Sequence, residues 1–122
     1  MISTFLSEKS FRLYLFITIL VIEFLATTTL EIEVIESIWD KANHFSAFFV
    51  LYILLSFAFR EFTLWLKGFL LLLYGMQIEI VQSFIEGRFF SLLDVVADSV
   101  GIVIGMGIYS AYLRWTGRVK KL

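Results

Sequence analysis

Four stretches of this chain, 11–29, 42–59, 62–85 and 92–113, run for roughly the twenty apolar residues needed to cross the hydrocarbon core of a bilayer. Ionisable groups are rare inside them and gather towards their ends. Apolar stretches of that length read as membrane-crossing helices. The expected fold is therefore all-α: a single domain over 1–122, built as a bundle of four transmembrane helices with short connections. Composition agrees. Of the 122 residues, 60% are hydrophobic, against roughly 45–50% in soluble domains, and the mean hydropathy is +0.90. A water-soluble domain of this size could not cover so much Phe, Leu and Ile.

The chain has no cysteine, which excludes disulfides, thiolate catalysis and Cys-based metal sites. It has no proline, so a helix break must come from glycine or polar residues. The first apolar stretch follows Lys9 and Arg12 and could be read as a secretion signal. It exceeds the usual 7–15 residues, however, and no convincing small-x-small site precedes Glu31, so it reads as a retained helix.

Charge asymmetry gives the orientation. With four spans the termini share a side, and Lys9, Arg12, Arg60, Lys67, Arg114, Arg118, Lys120 and Lys121 lie there, eight of the 10 basic residues. That side is expected to be cytoplasmic and the localisation the inner membrane of a bacterium. Trp65 and Trp115 then fall at the inner interface and Trp39 at the outer one. The acidic segment 31–40 falls outside, as a solvated face or a short interfacial helix over the bundle. The basic tail reports topology and attraction to anionic lipid, with no sign of nucleic-acid binding.

This topology gathers scattered polar residues at one end. Asp40, Lys41, Asn43 and His44 open the second helix; Glu79, Gln82 and Glu86 close the third at i, i+3, i+7; Ser91, Asp94, Asp98, Gly101 and Gly105 form one stripe on the fourth. Ionisable groups at membrane depth are costly alone, so they mark function or tight pairing. His44 reads as an interfacial hydrogen-bonding residue or, with carboxylates at its depth, as an acid/base group. Glu79 and Arg88 read equally as a buried ion pair. Glu23 lies deeper, as a partner for Ser, Thr or Tyr on another helix or as a step in a proton path. Gly101, Gly105 and Gly107 read as small-residue packing points.

The set His44, Tyr74-Gly75, Glu79-x-x-Gln82, Arg88, Asp94-x-x-x-Asp98 and Gly101-x-x-x-Gly105 resembles the VanZ-like family of small bacterial membrane proteins, named after an accessory protein associated with teicoplanin resistance. The resemblance spans roughly Asp40-Lys41 to Gly105. It departs at Asp98, where the family commonly has Asn. It names a relative more firmly than a reaction, and whether the protein is an enzyme stays open.

Two chemistries fit these residues. His44 with Glu79 or Asp94 offers acid/base catalysis, while Arg88, helped by Gln82, Asp98, Lys41 and Asn43, could grip a phosphate or carboxylate of a lipid-linked headgroup. A divalent cation held by Glu79, Asp94, Asp98 and His44 is the second. Arg88 and Lys41 would instead neutralise the acids, so the expectation is no metal and no cofactor. The expected function is binding, and modification, of a cell-envelope precursor or lipid headgroup, with consequences for glycopeptide susceptibility. The rival reading is an accessory subunit or a cation or proton path. Against a path, the stretches 48–59 and 62–73 supply almost no polar groups.

Overall fold

The computed structural model describes residues 6–27, 37–85 and 90–117, with residues 37–41 described in backbone only. It contains four helices and, among the described residues, no strand: α1 (Glu8–Thr27), α2 (Ser37–Ala58), α3 (Leu64–Gln82) and α4 (Leu92–Trp115). Three of them, α1, α3 and α4, are long and apolar enough to cross a membrane; the apolar part of α2, Ala42–Ala58, is shorter. At about 1.5 Å rise per residue, the 20 residues of α1 span roughly the 30 Å of a hydrocarbon core. The chain is an all-α membrane protein.

Caps decide where two helices start. The side chain of Thr63 accepts from the backbone N–H of Leu66, and that of Ser91 accepts from Asp94 N–H, so α3 begins at Leu64 and α4 at Leu92. α3 ends at Gln82, before the turn that carries Ser83 to Ile85. α2 begins at Ser37 rather than at 42, so residues 37–40, expected in an interfacial segment, continue into the helix. Residues 28–36 of that segment lie outside the described residues.

Helices consecutive in sequence run in opposite directions, so α1 and α3 are parallel, as are α2 and α4. At one end the Arg12 guanidinium Nε donates to the Ala58 carbonyl at 2.9 Å, joining the start of α1 to an orphan carbonyl at the end of α2. At the other end the Gln82 amide donates to the Ala26 carbonyl at 2.9 Å, joining the end of α3 to the end of α1. Between them the Tyr74 hydroxyl donates to the Ile19 carbonyl at 3.2 Å and the Gln77 amide to Glu23 Oε1 at 2.8 Å. Only Leu15 of α1 is buried. Lipid is as apolar as leucine, so burial of hydrocarbon cannot draw α1 to the bundle, and these polar ties carry the attachment. Glu23 thus meets α3 through the Gln77 amide, with the Tyr74 hydroxyl beside it, a tyrosine on another helix as expected.

α2 and α4 pack most closely, along the seam formed by Gly101 and Gly105. A Cβ on Gly101 would run into the Phe45 carbonyl oxygen and lie 3.0 Å from Phe49 N; one on Gly105 would lie 2.8 Å from Tyr52 Cβ. Small residues let the backbones approach, and the packing that follows replaces the missing hydrophobic drive. Gly107 is different: a Cβ there would meet nothing within 4 Å, so it is not one of the packing points expected of it. Gly101→Ala should therefore cost about 1–3 kcal/mol by overpacking, whereas Gly107→Ala should be neutral or slightly stabilising. Thermal unfolding in detergent checks the contrast; equal melting points for the two variants would contradict the seam.

Candidate functional site

The polar residues at the His44 end converge on the imidazole. His44 projects from α2 with its side chain 12% exposed, Glu79 from α3 and Asp94 and Asp98 from α4 with theirs at 0%, 7% and 0%. His44 Nδ1 lies 2.8 Å from Asp98 Oδ1. With Asp98 ionised, its oxygen accepts from an Nδ1–H, an arrangement that would fix the tautomer and tilt of the ring. Nε2 then faces Asp94 Oδ2 at 3.6 Å and Glu79 Oε2 at 3.9 Å, beyond hydrogen-bond distance from either.

Local structure holds the acids in place. Glu79 Oε1 accepts from the backbone N–H of Ser91 at 3.0 Å, which ties the end of α3 to the cap of α4. Ser91 in turn caps the turn that presents Asp94. Asp94 and Asp98 lie one turn apart on the buried stripe that continues into Gly101 and Gly105, so the glycines that close the α2–α4 seam also bring Asp98 to His44. Gly75 on α3 completes the fit: a Cβ there would lie 2.7 Å from Asp98 Oδ2.

Not every expected site residue joins this group. Gln82 is buried, but its amide serves the α1 tie described above. Asn43, next to His44, is exposed. Arg88 and Glu86 lie outside the described residues, and the side chains of Lys41 and Asp40 are not described. The contacts bring together His44, Glu79, Asp94 and Asp98.

A family described as VanZ/LLP1 matches residues 2–114. The chain belongs to the VanZ/LLP1 family. The match extends the resemblance, drawn from the last two-thirds of the chain, through α1. No curated protein and no solved structure matches the chain. An Asn in place of Asp98 would offer His44 the same Oδ1 acceptor, so the aspartate that departs from the expected motif changes charge without removing the contact.

At the opposite end of this VanZ/LLP1 bundle the structure holds a polar group that sequence reading missed. Lys67, expected as a surface charge, is fully buried. Its ammonium donates to Ser56 Oγ at 2.7 Å and lies 4.0 Å from the Tyr109 ring centroid and 5.1 Å from that of Tyr52. The Tyr52 hydroxyl donates to the Leu64 carbonyl at 3.0 Å. The stretches 48–59 and 62–73 therefore do supply buried polar groups. The signal was present: Lys67 falls three residues after Leu64 and four before Leu71, both buried, on the face that α3 turns inward. With its charge met by a hydroxyl and two aromatic faces, Lys67 reads as a structural tie. Lys67→Met should then match or exceed wild-type stability, since a buried charge is often replaceable by a residue of similar volume. Ser56→Ala, which strips the ammonium of its hydroxyl, should cost about 1–3 kcal/mol. Melting points of both variants in detergent decide; a Lys67→Met variant that unfolds would contradict the tie.

Proposed function

We propose that the His44 end of this VanZ/LLP1 protein faces outward from a bacterial inner membrane and binds the anionic headgroup of a cell-envelope lipid or lipid-linked precursor. His44, Glu79 and Asp94 are the groups that act on it. The observation that carries this reading is the His44–Asp98 contact of 2.8 Å, which aims Nε2 away from Asp98 into the gap before Glu79 and Asp94. A histidine oriented by a carboxylate through one nitrogen, with two further carboxylates near the other, is arranged as a general base or acid. Its ring is partly exposed while the acids are buried, so a ligand meets the ring first.

Orientation rests on charge. Arg12, Arg60 and Arg114 lie at the Lys67 end with exposed Trp65 and Trp115, the pattern of a cytoplasmic interface. An external thiol reagent should label Ser83→Cys, in the turn after α3, and should not label Arg114→Cys in intact cells. The reverse pattern would place the site inside.

Arg88 is assigned the grip on the anion, because a guanidinium holds phosphate or carboxylate through two parallel hydrogen bonds and an ammonium cannot. Native mass spectrometry of protein extracted with its lipids should find an anionic lipid retained by the wild type. Arg88→Lys should lose it while keeping the wild-type melting point, and His44→Ala should lose it with some loss of stability, since it removes the partner of buried Asp98; cells carrying either should lose any effect of the protein on teicoplanin tolerance. Retention of the lipid by both variants would sink the headgroup reading.

One observation favours a second reading. Glu23, within α1, has a buried Oε2 that accepts no hydrogen bond from a described residue, and Lys67 and Ser56 add buried polar groups beyond the His44 site. A proton path through the bundle would use such groups. Proteoliposomes with an internal pH dye separate the readings: a headgroup-binding protein leaves an imposed pH gradient intact, and dissipation abolished by Glu23→Gln would favour the path.

A further inference from the structure

We infer that His44, Glu79 and Asp94 form a three-ligand site for a divalent transition metal ion, zinc in type, with Asp98 as the group that orients the histidine. The inference rests on the reading of this end as a binding pocket and names what would meet the anion there.

Spacing is the first argument. One donor atom from each of the three residues lies within 4.8 Å of the other two. His44 Nε2 stands 3.6 Å from Asp94 Oδ2 and 3.9 Å from Glu79 Oε2, too far for hydrogen bonds. A zinc ion binds imidazole nitrogen and carboxylate oxygen at about 2.0–2.2 Å, which sets tetrahedral donors roughly 3.3–3.6 Å apart. The gap is thus slightly wider than a bound ion requires and much wider than a hydrogen-bonded pair would leave.

The second argument is a buried atom aimed into that gap. Glu79 is fully buried, and its Oε2 accepts no hydrogen bond from any described residue although Oε1 is held by Ser91 N–H. A carboxylate oxygen left so at membrane depth is costly unless something compensates it. A divalent ion in the gap would compensate that oxygen directly.

The third argument is the arrangement behind the histidine. A metal-bound imidazole commonly donates its other N–H to a carboxylate, which fixes the tautomer with the lone pair on the metal side. Asp98 occupies that place at 2.8 Å from Nδ1. One nitrogen and two oxygen donors suit zinc or manganese better than calcium, which takes six to eight oxygens. Three protein ligands leave a coordination position for water or for a phosphate oxygen of the headgroup, as in catalytic rather than structural sites. This reverses the sequence-based preference for neutralisation by Arg88 and Lys41, because the spacing around Nε2 and the bare Glu79 oxygen were not legible from composition.

Calorimetric titration of zinc chloride into chelator-treated protein in detergent tests the site. The wild type should bind one Zn²⁺ per chain, and manganese(II) should compete. Glu79→Gln keeps an acceptor for Ser91 N–H but loses the charged ligand, so it should fold and lose stoichiometric binding. Asp98→Ala should weaken binding by about 10–100-fold, as loss of an orienting partner does elsewhere. X-ray absorption on the zinc-loaded wild type should show nitrogen and oxygen donors including one imidazole, which tests the ligand set without any variant. A folded wild type that binds no zinc, zinc binding unchanged in Glu79→Gln, or a spectrum without imidazole would each overturn the inference. The two readings fail separately: an anionic lipid retained by protein that takes no zinc leaves the pocket and removes the metal, and zinc binding without any retained lipid does the opposite.

Discussion

The absence of water from the bilayer core governs this structure more than any single contact. Hydrocarbon surrounds α1 to α4 whether they associate or not, so burial of leucine and phenylalanine gives little reason for the helices to meet. What remains is close backbone packing and the need of polar side chains for partners. The chain uses both. Gly101 and Gly105 let α4 approach α2 until side chains at those positions would collide with its backbone and with Tyr52. Arg12, Tyr74, Gln77 and Gln82 tie α1 to the bundle through hydrogen bonds.

The same constraint explains why the polar residues sit in two groups rather than dispersed. At one end Lys67 is met by Ser56 and two tyrosine rings, a neutral hydroxyl and two aromatic faces. At the other, His44 stands among three carboxylates. The first group closes on itself with a short contact. In the second, only Asp98 of the three carboxylates comes within hydrogen-bond distance of the ring, and the buried Glu79 Oε2 accepts no hydrogen bond from any described residue. Structural polar clusters tend to satisfy their members fully, and incompletely closed ones are where ligands act. That contrast within one bundle is the reason to assign chemistry to the His44 end and packing to the Lys67 end.

Much of this was legible in the sequence because membrane helices carry their signal in composition. Apolar runs near twenty residues long gave the all-α fold, and the i, i+3, i+7 stripes gave the inward faces of Glu79, Asp94 and Asp98. The VanZ-like motif gave the family. The start of α2 was missed because its first turn is polar, and helix formation there depends on continuity with α2 rather than on hydropathy. Lys67 was misplaced because the positive-inside pattern reads a lysine near a helix end as surface, while burial depends on which face the residue occupies. Gln82 fell on the expected face yet serves the neighbouring α1, since a stripe says which way a side chain points and not which helix meets it. Gly107 was grouped with Gly101 and Gly105 by residue type, although two residues beyond Gly105 is the opposite side of a helix.

The central claim is that the gap around His44 Nε2 is a place for a ligand and not an imperfect ion pair. A cryo-electron microscopy or crystal structure of the protein in a lipid nanodisc, at a resolution that separates side-chain atoms, measures that gap directly. The expected result is that Nε2 stays between roughly 3 and 4 Å from both Glu79 and Asp94, with density for a ligand atom bound at about 2.0–2.2 Å from all three. Direct hydrogen bonds from Nε2 to either carboxylate, with the gap closed and no density within it, would contradict that claim.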